Sequence, residues 1–177
     1  MAWVAPYTFV AGVLTADDLN AMLRDNMNET APAKARQRNS YFSSTGANAL
    51  AERRMIQKSA NGQINISSSS YVTAADGPSL TVQHSGSLLA MWSCRMFVSS
   101  GVDRNNPASC SVSLEGQQSG LDRWAARHPG DRADINRVSS YNLFTGLPPG
   151  ESTVTLVYRV SSGSANFAQR QLIVMPF

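Results

Sequence analysis

The chain has 177 residues, enough for one well-buried domain with an appendage and too few for two large domains. Only 15% of its residues are charged, against roughly a quarter in an average soluble domain, while 42% are hydrophobic. Fifteen Lys and Arg against twelve Asp and Glu leave a net charge of +3, and most cations are interspersed with acids. That distribution argues against a dedicated nucleic-acid binder and against a charged disordered tail, so no direct nucleic-acid contact is expected.

Three zones differ in composition. Residues 1–30 read as an extended arm followed by one short helix. Met1-Ala2-Trp3-Val4-Ala5-Pro6 has neither the basic region nor the apolar run of a secretory signal, so export by that route is not expected. Thr15 is placed to cap the helix, with Asp18 three residues on as a short capping-box partner and Leu14 and Leu19 at the staple positions. Leu19, Met22, Leu23 and Met27 form one narrow apolar stripe opposite Asn20, Arg24 and Asn28. A helix of about four turns with such a stripe is marginal alone and needs a partner surface.

Residues 31–52 are rich in Ala, Ser, Asn and Gly and show no sustained period, which predicts a solvated linker. Lys34, Arg36 and Arg38 make a loose basic cluster there, and Tyr41-Phe42 is a candidate local anchor.

From 53 to 177 the pattern is strand after strand. Ile64-Asn65-Ile66, Leu80-Thr81-Val82 and Cys110-Ser111-Val112-Ser113-Leu114 alternate, and Val154, Leu156, Tyr158 and Val160 give the clearest period of two. Turn residues fall between the runs, at Asp76-Gly77-Pro78, Ser85-Gly86, Pro148-Pro149-Gly150 and Ser162-Gly163. Residues 116–136 read mostly as loop. Eight to ten short strands in about 125 residues predict a mainly β protein, an antiparallel jelly-roll sandwich. The apolar strand that runs from about Phe167 to Phe177 is expected to lie centrally in a sheet or between subunits. Leu88 to Val98 is apolar but broken by Ser93 and Arg95, and is about half the length of a membrane span, so no membrane insertion is expected.

Chemistry-bearing clusters are scarce. Cys94 and Cys110 both sit in alternating runs, which predicts two buried thiols; a single disulfide between adjacent strands is the alternative. His84 ends a strand and His128 falls in a predicted turn, with no metal-ligand spacing around either. No nucleophile elbow or phosphate loop occurs, so catalytic, metal and cofactor sites are all expected to be absent. The segment 122–134 combines charges with one large aromatic, and Asp122, Arg123, Trp124, Arg127 and His128 are the first choice for a contact loop.

Trp3, Pro6, Phe9, Gly12, Thr15-Ala16, Leu19-Asn20 and Arg24-Asp25-Asn26 form a long mixed-spacing pattern. It resembles an N-terminal motif of tail and other virion proteins of double-stranded DNA bacteriophages, especially those of actinobacteria. Gly146 to Gly150, the Val154 to Val160 strand and Leu172-Ile173-Val174 are similar to the jelly-roll domains of the C1q and tumour necrosis factor type that often follow such an arm. The resemblance implies a non-enzymatic virion structural protein, a minor tail or tail-fibre component. It implies a homotrimer docked onto another virion protein through Trp3, Pro6, Phe9, Gly12, Leu19, Met22 and Leu23. A capsid decoration or head-fibre protein, and a module that binds a host-surface glycan or protein, are the alternatives.

Overall fold

The computed structural model describes residues 15–17, 20, 35–47, 49–98, 107–114, 126–128 and 135–177, and the chain divides into two compact units, Met1–Arg54 and Met55–Phe177. In the first unit, Ala16, Asp17 and Asn20 are helical; Trp3, Pro6, Phe9, Gly12, Leu19, Met22 and Leu23 of the predicted arm lie outside the described residues.

A linker is the expectation for 31–52, yet β1 (Ser40–Gly46) and β2 (Ala49–Arg54) pair antiparallel, with Ser40 opposite Arg54 and a register shift between Ser44 and Gly46. Polar contacts that leave no periodic trace secure this hairpin. Glu52 Oε1 accepts from the Ser40 hydroxyl and from the backbone N–H groups of Gln37 (2.9 Å) and Arg36 (3.0 Å). The Ser40 hydrogen bond, with the two backbone donors, holds the Glu52 carboxyl below its usual range. Asn39 enters β1 at φ 60°, a conformation that asparagine tolerates better than most residues.

The second unit holds β3 (Ile56–Ala60), β4 (Ile64–Ile66), β5 (Ser79–His84), β6 (Leu88–Val98), β7 (Ala108–Leu114), β8 (Ala126–His128), β9 (Ile135–Phe144), β10 (Gly150–Val160) and β11 (Ala165–Pro176). Every strand pairing among the described residues is antiparallel. One sheet has the order β5-β10-β7-β8; the other has β3-β11-β6-β9, with β4 also beside β11.

The pairs β7·β8, β6·β9, β5·β10 and β3·β11 nest inside one another, as in one long two-armed ribbon. Folding that ribbon over itself sets β10 beside β7 and β11 beside β6, which is the jelly-roll arrangement. The final strand is therefore central, between β3 and β6, as its apolar sequence predicts.

Alternation decides what fills the space between the sheets. Leu88, Ala90, Trp92, Cys94 and Met96 of β6 face Cys110, Val112 and Leu114 of β7 and Val154, Leu156, Tyr158 and Val160 of β10 within one buried cluster. On β11 the parity changes midway: Ala165 and Phe167 are buried, and then Arg170, Leu172 and Val174. A bulge causes the change. Between the partners Ala168↔Arg95 and Gln171↔Ser93, both Gln169 and Arg170 oppose the single residue Cys94, and Gln169 takes φ 47°.

That extra residue turns Arg170 into the core, where its side chain has no solvent exposure. The guanidinium meets Asp76 through both carboxylate oxygens (2.8 and 3.2 Å) and donates to Gly62 O at 3.1 Å. The Arg170 hydrogen bonds hold the Asp76 carboxyl below its ordinary range. Tyr158 lies against Phe167 (centroids 5.0 Å apart), and burial pushes its phenol well above the usual value.

Two local expectations need correction. His128, expected in a turn, is the last residue of strand β8, opposite Ala108; within 116–136, read mostly as loop, the described residues 126–128 and 135–136 are strand. A three-residue strand is too short to show alternation in sequence. Cys94 and Cys110 are buried free thiols, but they lie on strands of different sheets, which removes the adjacent-strand pairing.

Candidate interaction surface

The two sheets turn different outer faces to solvent. Where β5 pairs with β10, over Gly150–Thr155, that face is Ser79, Thr81, Gln83, Glu151, Thr153 and Thr155, with hydroxyls paired across the strands, Ser79 to Thr155 at 2.8 Å and Thr81 to Thr153 at 2.9 Å. Short hydroxyl side chains suit a solvated strand face.

On β11, β6 and β9 the outer face is ordered in rows. Met175, Leu89 and Leu143 are cross-strand partners, and so are Ile173, Met91 and Tyr141; the next row is Gln171, Ser93 and Ser139. Arg95 and Arg137 stand directly opposite each other beyond it. Six large apolar side chains thus share one end of the face, with two arginines toward the other. Tyr141 is 71% exposed and Leu143 60%, while their neighbours on β6 and β11 are half-buried. A groove of about 560 Å³ runs among Leu89, Met91, Tyr141, Ile173, Ser93 and Gln171. Ser93, which lines the groove, has its Oγ buried without a hydrogen-bond partner among the described residues.

The arginine row is stabilised locally by other means than carboxylates. Arg95 lies over the Phe97 ring at 4.7 Å, and Arg137 donates to Gln169 Oε1 at 2.9 Å. The bulge residue Gln169 is thereby tied to β9. His84, the other histidine, is buried: Gly86 N–H donates to its Nδ1 at 3.1 Å, which leaves Nε2 to meet Ser152 Oγ at 2.9 Å. Only glycine suits position 86, at φ 126°, because an added Cβ would stand 3.2 Å from Leu147 O. His84 is thus built into a turn. No group of three or more His, Cys, Asp or Glu able to hold a metal occurs among the described residues.

Of the predicted contact loop, Asp122, Arg123 and Trp124 lie outside the described residues, and Arg127 and His128 are placed by their backbone in β8, opposite Ser109 and Ala108. Tyr141 and Leu143 were missed by motif reading. A signal existed in β6, where both parities are apolar: Leu89 and Met91 alternate with Leu88, Ala90 and Trp92, the mark of a strand covered on two sides.

The fold and its surface define a jelly-roll sandwich with one apolar outer face. No family model matches the sequence, and the comparison with curated proteins finds no relative. Among solved structures the chain is similar to one from infectious bursal disease virus, Gx strain, at 14% identity and TM-score 0.41, covering 72% of this chain and 34% of that one. It is also similar to the VP2 subviral particle of infectious bursal disease virus, at 13% identity and TM-score 0.38, covering 72% and 35%. The chain thus spans about a third of the length of the chains it matches.

Proposed function

We propose that this protein is a non-enzymatic structural component of a bacteriophage virion, a minor tail or tail-fibre protein that assembles as a homotrimer and docks through its N-terminal arm. The observation that carries the self-association is the exposed apolar end of the β11-β6-β9 face, centred on Tyr141 and Leu143. Contiguous apolar patches of this kind mark interaction sites, and aromatic residues dominate such interfaces energetically. A central strand that is apolar on both sides, as β6 and β11 are, fits a sheet covered on one face by the core and on the other by a second copy. The N-terminal pattern from Trp3 to Asn26 supports the virion setting and the docking role.

Sedimentation of the full chain tests the assembly: a trimer is expected, and a stable monomer at micromolar concentration overturns it. Cryo-electron microscopy of the virion tests the place, with density expected on the tail. Density on the capsid lattice instead overturns the tail assignment and selects a decoration protein.

A further inference from the structure

We propose that Cys94 and Cys110 form a buried dithiol that oxidises to one disulfide joining the two sheets of the sandwich. Cys94 points inward from β6 and Cys110 from β7, and both are fully buried. Three independent placements bring them to the same cross-section. The β11 bulge sets Arg170 opposite Cys94 in one sheet. Tyr158 is the cross-strand partner of Cys110 in the other. The Arg170 guanidinium lies 5.9 Å from the Tyr158 ring centre, so it bridges the two cysteine positions from one sheet to the other. Both thiols belong to the one buried core cluster between the sheets, and burial pushes the Cys110 thiol well up.

Two features of the site bear on reactivity. Cys94 sits where the β6·β11 ladder is interrupted, and its Sγ has only long contacts to Arg95 O (3.6 Å) and Ala168 O (3.8 Å). Opening is easiest at such a point, because fewer ladder hydrogen bonds must break. Arg170 supplies a cation beside the thiolate that forms. Its favourable effect on Cys110 opposes the burial.

The oxidant is a low-molecular-weight disulfide such as glutathione disulfide. One cysteine loses its proton, and its thiolate attacks a sulfur of the oxidant, forming a mixed disulfide and expelling one glutathione thiolate. The second cysteine, deprotonated in turn, attacks the protein sulfur of that mixed disulfide and expels the second glutathione. Two electrons pass from the cysteines to the oxidant, and the two protons end on the two glutathiones. The product closes a loop of about fifteen residues between β6 and β7, which constrains the unfolded chain.

The test is incubation of the native full chain with excess glutathione disulfide, followed by unfolding in guanidinium with N-ethylmaleimide, intact mass and peptide mapping. The expected product is about 2 Da lighter, takes up no maleimide, yields a peptide linking Cys94 to Cys110, and melts roughly 5–10 °C higher than the reduced chain. C94S and C110S are expected to show neither the crosslink nor the rise in melting temperature. Recovery of two maleimide adducts, while the guanidinium-unfolded chain oxidises under the same conditions, overturns the proposal. So does a disulfide between two chains, or two stable mixed disulfides. The mapped peptide of the unmutated chain decides the question even where a serine variant fails to fold.

Discussion

The outer faces of the two sheets are built on the same strand geometry and carry opposite chemistry. On β5 and β10 the outward positions are Ser79, Thr81, Thr153 and Thr155, which satisfy one another through hydroxyl pairs. On β6, β9 and β11 the corresponding positions are Leu89, Met91, Tyr141, Leu143, Ile173 and Met175, and nothing in the second unit's described residues covers Tyr141 or Leu143. Both faces lie over one shared core, so stability of the sandwich does not by itself call for the apolar one. What differs is the expected neighbour: water for the hydroxyl face, protein for the apolar face.

The difference can be broken most directly at its centre. The double variant Y141E/L143E is expected to weaken self-association at least about a hundredfold, seen as a shift to the monomer in sedimentation, with the circular dichroism spectrum unchanged. Next in size, Leu156→Ala, beneath both faces and fully buried, is expected to cost about 2–5 kcal/mol in denaturant unfolding. A loss from that variant as small as from a surface change would mean that the shared core is not where the stability resides.

A smaller and pH-dependent effect is expected at Asp76, which ties the bulged strand of the apolar sheet to the segment before β5. Its folded carboxyl titrates below the ordinary value, so its contribution is present above about pH 4 and is lost as the pH falls through the folded value. Acid unfolding of D76N is expected to lack that component and to begin from a lower stability at neutral pH. Smallest of all, T81V/T153V on the hydroxyl face is expected to change stability by less than about 1 kcal/mol and to leave the oligomeric state as it was. A change of oligomeric state in that variant would move the interface to the other sheet.

Much of the sandwich is legible in the sequence because a half-buried strand writes its burial every second residue. Val154, Leu156, Tyr158 and Val160 show this most plainly, and all four are fully buried. Tyr141 and Leu143 are less legible: they follow Ser139 in plain alternation, and nothing in that pattern says which parity faces the core. The parity becomes readable only through the β6·β9 register, which sets Tyr141 opposite Met91. The β1–β2 hairpin left no period at all, since Glu52 secures it through polar contacts to residues up to sixteen positions away. Arg170 is the sharpest case. By sequence it is a charged residue flanked by Gln169 and Gln171, and its burial depends on one extra residue opposite Cys94.

The sequence by itself determined the class of fold, the central apolar final strand and the burial of both cysteines, because alternation and turn chemistry are local properties. Only the tertiary structure decided which apolar positions face the core and which face outward, and that Cys94 and Cys110 belong to opposite sheets at one level. Those facts depend on strand order and register, which link residues far apart in the chain and are set by the folded ribbon as a whole.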